Sequence, residues 1–319
     1  MHAWETIERS LDFIEEHLEE EVKIEALADA TALSPFYFQR LFKRLVHKPV
    51  QEYIKLRRLA RAADALRDTK RRILDVAMDY GFSSHANFTR AFKDTYAITP
   101  EEYRRTLPML NTFDRPEVSA NYVLIGEGVP LVVGDIVLEI ERKTLIAPET
   151  YIGFETAVSI AAQTPAGEST GVDIPGQLWR RYHTERGSIA PGVHAGAELG
   201  MSHSADPKLG TFQYFAGGLL ENDPSSFTDG MVKRELPAGE YTVCKVEAEN
   251  FEILVTAALN QASRYLFGTW LPQHNFTTAP FSAEKYYRDT EGAAYMELWV
   301  MPIPMSAVND TALMKRTIQ

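Results

Sequence analysis

The chain has 319 residues, of which 45% are apolar, carries a formal net charge of −11 and contains one cysteine. That length can bury full cores and suggests two or three domains of a globular protein, while the lone Cys244 excludes an intrachain disulfide framework and fits a reducing cytoplasm. Neither a charged-then-apolar leader at Met1-His2-Ala3-Trp4-Glu5 nor a run of eighteen apolar residues is present, so the sequence gives no support for export or for a membrane.

The charge is uneven. Residues 1–30 hold 2 Lys/Arg against 10 Asp/Glu, residues 31–107 hold 16 against 8, and residues 108–319 hold 15 against 26, giving −8, +8 and −11. A basic module between two acidic stretches is the local footprint expected for phosphate contact. The chain opens on a predicted packing helix from about 4 to 18, with Trp4, Ile7, Leu11, Ile14 and Leu18 on one face. Glu15, Glu16, Glu19 and Glu20 lie outside that stripe, as a solvated face or one that repels DNA.

Next comes Ile24-Glu25-Ala26-Leu27-Ala28, a turn, and a helix that Ser34 can cap and Pro35 can open. Phe38, Leu41, Phe42 and Leu45 form its apolar stripe, leaving Phe36, Tyr37, Gln39, Arg40, Lys43 and Arg44 off it. Alone this could be an ordinary amphipathic helix with a solvated basic face. The frame recurs, however, fifty residues later: Ile73-Leu74-Asp75-Val76-Ala77, a turn, and Ser84-His85-Ala86-Asn87-Phe88-Thr89-Arg90-Ala91-Phe92-Lys93. A short helix, a turn and an outward-facing helix, twice over, is the helix-turn-helix arrangement, whose second helix enters the major groove. Gly81 suits a left-handed turn and Ala32 does not, so the two turns are expected to differ in geometry. Between the units, Pro49 opens a helix of some twenty residues running to about Arg67. Its roughly 30 Å length is close to the ~34 Å between successive major-groove faces. Thr99-Pro100-Glu101-Glu102 is a capping box leading into Tyr103-Arg104-Arg105.

On Tyr80-Gly81-Phe82, Phe88, Arg90, Phe92-Lys93, Pro100 and Tyr103-Arg104, residues 5–107 resemble the DNA-binding domain of the AraC/XylS family of transcription regulators. The resemblance implies seven helices and base readers at Phe36, Tyr37, Gln39 and Arg40, then at His85, Ala86, Asn87, Thr89 and Arg90. Lys43, Arg44 and Lys93 add cationic contacts. It implies double-stranded DNA and RNA polymerase as partners.

Pro108 to Pro116 reads as a linker, assigned to residues 108–119. Beyond it the texture turns to strands at 121–126, 136–142, 151–155, 197–201, 211–220, 231–236, 241–247 and 294–302, with helices at 177–183 and 252–267. The tandem Gly217-Gly218 inside an apolar strand marks a bulge or a close approach. This half, residues 120–305 before a tail at 306–319, resembles the GyrI-like effector domain. The resemblance rests on Pro237-Ala238-Gly239-Glu240-Tyr241, Trp270-Leu271-Pro272, Pro280-Phe281, Tyr286, and Glu297-Leu298-Trp299-Val300-Met301-Pro302. The whole is most similar to the Rob-like subgroup. The expected fold is therefore multidomain: an all-α double helix-turn-helix domain followed by an α+β domain with an antiparallel sheet.

Alternation on the closing strand puts Tyr295, Glu297, Trp299 and Met301 on one face. By itself that is a sheet rim or the floor of a cation pocket. The resemblance implies the latter, with a lipophilic cation held by Glu297 and aromatic faces. Trp179, Phe154, Tyr214 and Tyr241 are candidate walls, or simply core. His183, His194, His203 and His274 show no metal-ligand spacing, and neither a phosphate loop, a dinucleotide fingerprint nor a nucleophile elbow is present. A sensor without cofactor or metal is expected; the alternative is a GyrI-like hydrolase with Glu297 as general base beside Tyr295 or Tyr241.

Overall fold

A computed structural model describes residues 3–162, 168–188, 192–222, 229–288 and 294–307. It divides into one unit of residues 1–122 with 168–173, and a second of residues 123–167 with 174–319.

The first unit contains α1 (Ala3–Glu16), α2 (Ile24–Ala30), α3 (Pro35–Val46), α4 (Val50–Leu66), α5 (Ile73–Asp79), α6 (His85–Tyr96) and α7 (Pro100–Thr106). Capping chemistry sets several starts: the side chains of Ser34, Ser84 and Thr99 accept from Tyr37 N, Asn87 N and Glu102 N, and Thr99 and Glu102 complete a reciprocal box. The central helix α4 serves two cores. Val50, Tyr53, Ile54 and Leu56 pack with α1–α3, while Leu59, Ala62, Ala63 and Leu66 pack with α5–α7. At 17 residues it is about 25 Å long, shorter than the expected thirty.

Two expectations for this unit change. Glu15 is not on a solvated face: its carboxylate takes Arg57 Nε and Nη2 at 2.8 and 2.9 Å and the Tyr53 hydroxyl at 2.8 Å. Burial works against the charged carboxylate, but the Arg57 contacts outweigh it and hold Glu15 below the usual carboxylate range. Nor is 108–119 a spacer. Phe113, 2% exposed, and Val118 belong to the first core, the Phe113 carbonyl accepts from Arg57 Nη1, and Arg115 reaches Glu8 at 2.8 Å and Asp12 at 2.7 Å. The segment is a strap whose turn formers let it follow the helical surface. β1 (Leu110–Asn111) then pairs antiparallel with β5 (Gly171–Val172), so residues 168–173 return to this unit, where Glu168 meets Lys48 at 2.8 Å.

The second unit is built on a nine-stranded antiparallel sheet, in the order β2-β3-β9-β12-β11-β6-β7-β4-β8. The strands are β2 (Leu131–Val133), β3 (Ile136–Leu145), β4 (Glu149–Ser159), β6 (Val193–Asp206), β7 (Thr211–Leu220), β8 (Val232–Leu236), β9 (Gly239–Ala248), β11 (Phe281–Arg288) and β12 (Ala294–Val300). β10 (Phe276–Thr278) and β13 (Pro302–Pro304) form a separate pair. Chain order repeats one pattern, strand–helix–strand–strand: β4, α8 (Ile174–Glu185), β6, β7, and then β9, α9 (a helical run over residues 251–273), β11, β12. The central neighbours β6 and β11 come one from each repeat. α8 packs on β4 and β7; the α9 run contacts β9 and β12 and contains π-type turns at Leu254–Ala258 and Leu266–Trp270. The opposite face has its own core of Tyr151, Leu199, Met201, Phe215, Leu236, Tyr241, Val243, Ala283 and Trp299.

The expected strand at 121–126 is absent. Ser119–Tyr122 is a 3-10 turn, and the next apolar residues attach to the α9 run through side chains: Tyr265 Oη donates to Val123 O, and Trp270 Nε1 to Ile125 O. β11, not foreseen as a strand, occupies the sheet centre. Gly218 marks a close approach, since a Cβ there would overlap Tyr182 Oη, and the bulge lies instead in β6. Most of the expected tail, residues 308–319, lies outside the described residues.

Candidate functional site

In the first unit, α3 and α6 are the second helices of the two helix-turn-helix units. Phe38, Phe42 and Leu45 are buried beneath α3, while Phe36, at 75% exposed, Tyr37, Gln39, Arg40, Lys43 and Arg44 face solvent. On α6, Phe88 and Phe92 are buried, and His85, Ala86, Asn87, Arg90 and Lys93 are exposed. Asn87 Nδ2 donates to Ser83 Oγ at 2.7 Å and accepts from Arg90 Nη2 at 3.3 Å, and His85 Nε2 lies 3.0 Å from Glu101. Thr89 departs from the expectation: its hydroxyl oxygen is buried without a hydrogen-bond partner among the described residues, so it is turned away from any groove-facing surface.

The two turns are alike, contrary to expectation. Ala32 has φ 54° and Gly81 φ 73°, and the same bonds close each: Leu33 N to Ala28 O and Ala32 N to Asp29 O, Phe82 N to Ala77 O and Gly81 N to Met78 O. Closure of the helix end outweighs the left-handed penalty on alanine, about 1–2 kcal/mol.

In the second unit the seven expected ligand residues fall on two faces of the sheet. Tyr241, Glu297, Trp299 and Tyr295 share the face opposite the helices; Phe154, Trp179 and Tyr214 belong with α8. Glu297 is 4% exposed, and its carboxylate takes Lys143 Nζ at 2.5 Å, Trp299 Nε1 at 2.8 Å and the Tyr287 hydroxyl at 3.0 Å. Burial works against the Lys143 ammonium, yet Glu297 and Glu141 outweigh it and raise its pKa. Glu297 is thus an internally neutralised anchor. Tyr295 stacks on Tyr287 at 5.1 Å, Tyr241 Oη donates to Pro237 O, and Arg181 covers the Phe154 ring at 3.8 Å. These contacts give all three structural roles.

Trp179 and Tyr214 gather around a different carboxylate. Glu284 on β11 accepts the hydroxyls of Tyr214 at 2.8 Å and Tyr286 at 2.9 Å, and Trp179 Nε1 donates to Tyr214 Oη at 3.1 Å. Trp179 meets Tyr286 edge-on at 5.3 Å, and Phe251, 52% exposed at the start of the α9 run, lies 6.3 Å from the same ring. Gly200 pairs with Glu284 across β6 and β11; a Cβ there would overlap Tyr214 Oη and stand 2.8 Å from the Glu284 carboxylate. The missing side chain is what lets the acid and the phenol meet. In the sequence Tyr286 carries only the family resemblance and Glu284 belongs to no motif; the signal for both is their alternation on one face of the eight-residue strand β11. Among the described residues, no group of three or more His, Cys, Asp and Glu could hold a metal ion, and no helix is long and apolar enough to cross a membrane.

Two helix-turn-helix units joined by one helix, followed by a sheet domain with an aromatic and acidic cluster beneath its helices, define a DNA-binding regulator with an effector domain. The comparisons agree. A family described as "Helix-turn-helix domain" matches residues 27–106, and one described as "Integron-associated effector binding protein" matches residues 149–303. Regulatory protein SoxS of Salmonella typhimurium is 38% identical over 107 residues, which is 34% of this chain and all of SoxS. Right origin-binding protein of Escherichia coli is 27% identical over 278 residues, 87% of this chain and 88% of its own. YbfP of Bacillus subtilis, an HTH-type transcriptional regulator, is 40% identical over 104 residues, 33% of this chain and only 35% of its own. The chain belongs to the AraC/XylS family of transcription regulators and carries a GyrI-like effector-binding domain.

Proposed function

We propose that this regulator senses a lipophilic, aromatic cation, with Glu284 as the counter-charge. The observation that carries the reading is a half-buried carboxylate hydrogen-bonded by two phenols, beneath rings contributed by both helices of the sheet domain: Trp179 from α8, Phe251 from the α9 run and Tyr286 between them. The phenol hydroxyls fix the carboxylate in place, and aromatic faces attract a desolvated cation. The domain acts as a sensor and not as an enzyme, in the cytoplasm. Its DNA-binding unit reads an asymmetric site of roughly 20 base pairs as one protomer, since α4 holds two recognition helices in a single chain. RNA polymerase is the partner we infer for the DNA-bound form; Leu74 and Met78, exposed one turn apart on α5, support a protein contact there.

A thermal-shift screen of the full chain with lipophilic cations, anions and neutral compounds tests the reading. Cations are expected to raise the midpoint, and Glu284→Gln to remove most of that rise. Stabilisation by neutral and anionic compounds alone would overturn it.

A further inference from the structure

We propose that this aromatic and acidic cluster is a two-point site for aromatic dications with one amidinium end, and that Glu198 is its second carboxylate; this rests on the Glu284 reading. The register of β6 and β11 pairs Glu284 with Gly200 and Tyr286 with Glu198. The two acids are therefore diagonal neighbours on one sheet face, with Cα atoms about 7–8 Å apart. Above them, one stripe beginning on α8 runs Trp179, His183, Arg186, at i, i+4 and i+7. Trp179 serves Glu284 through the Tyr214 hydroxyl. His183 Nε2 lies 3.0 Å from one Glu198 oxygen, and Arg186 Nη1 donates to the other at 2.6 Å.

The exposures are unequal, and the inequality points to exchange. Glu198 is 6% exposed, whereas the side chains holding it, His183 and Arg186, are 34% and 35% exposed. They reach in from the surface and can swing out without leaving a cation buried. On the opposite face Lys143 is as exposed, at 34%, but the second oxygen of Glu297 is held by Trp299 Nε1 from a ring only 5% exposed, and Lys285, the partner of Glu149, is itself only 8% exposed. Two donors, one on each oxygen of a buried carboxylate, are what the parallel N–H groups of an amidinium or guanidinium reproduce. Arg186 and His183 occupy the seat such a group would take, and the aromatic body of the ligand would lie along Tyr286 towards Glu284.

Calorimetry on the full chain with an aromatic bis-amidine and the mono-amidine lacking its second group tests this. The bis-amidine is expected to bind roughly 10-fold tighter. Glu198→Gln should abolish that difference, whereas Arg186→Met, which removes the internal competitor, should widen it. Opposite effects from two variants of one ion pair cannot come from a folding defect. Equal affinity of the two ligands for the unaltered protein, or a widened gap in Glu198→Gln, would overturn the second seat and leave the Glu284 reading standing. Binding of neither ligand would overturn both.

Discussion

Phe113→Ala separates a strap from a linker. The Phe113 ring is 2% exposed, sits edge-on to Tyr53 at 6.0 Å with an interplanar angle of 83°, and lies 5.1 Å beneath Lys48 Nζ. Truncating a buried phenylalanine costs about 3–5 kcal/mol, the lower end applying where the segment can settle into the space. A strap at the edge of a core can settle, so a loss of about 3 kcal/mol is expected. That is a large fraction of the 5–15 kcal/mol typical of a domain. The assay is urea unfolding of a fragment spanning residues 1–122, whose one tryptophan, Trp4, packs against the same core and reports it by fluorescence. An unchanged slope with a lower midpoint is the expected form. A loss under about 1 kcal/mol, the range of ordinary surface substitutions, would refute the reasoning and return 108–119 to a spacer.

In the same fragment, Ala32→Gly should gain about 1 kcal/mol by relieving a left-handed alanine. Gly81→Ala should lose about 1–2 kcal/mol through its left-handed φ of 73°, the Arg58 guanidinium nearby being a flexible side-chain end; the ordering of the three urea midpoints checks both. The Arg57 contacts hold the folded-state pKa of Glu15 below its unfolded value, so their stabilisation is complete above the ordinary carboxylate range near ~4.3 and is lost as pH falls through the folded value. Unfolding between pH 7 and 3 should show that loss, and Glu15→Gln should flatten it. Arg40→Ala should cost about 1–3 kcal/mol and relax preference at one base pair, whereas Lys43→Ala should weaken all sequences alike, as gel shifts over a range of salt would read.

The helical half was legible because its stripes and caps are local. Phe38, Phe42 and Leu45, or Phe88 and Phe92, declare a face by spacing alone, and Ser34, Ser84 and Thr99 mark where helices start. The likeness of the Ala32 turn to the Gly81 turn is not legible in the sequence, because a penalty of about 1–2 kcal/mol is small beside the packing that a closed helix end secures. Phe113 and Val118 were hidden among turn formers with no period to reveal them. In the sheet domain, alternation showed which residues of β12 share a face but not which face carries the helices. Lys143, which neutralises Glu297, comes from a strand 154 positions away. β11 escaped because Glu284 and Lys285 interrupt its apolar pattern, and only tertiary structure shows Lys285 buried over the Trp299 ring and paired with Glu149. Trp179 and Tyr214, expected as walls around Glu297 or as core, lie on the other face of the sheet, where they are linked to Glu284.

The central claim is that Glu284, and not Glu297, supplies the counter-charge for a cationic effector. Calorimetry with a lipophilic quaternary ammonium and its neutral carbon isostere, on the unaltered chain, Glu284→Gln and Glu297→Gln, tests it most directly. Glu284→Gln is expected to weaken the cation by about 2–3 kcal/mol and the isostere by under about 1 kcal/mol. Glu297→Gln is expected to lower the unfolding midpoint, by leaving Lys143 without its buried partner, while the difference between the two ligands persists. Equal losses for cation and isostere in Glu284→Gln, or a cation-specific loss in Glu297→Gln alone, would contradict the account.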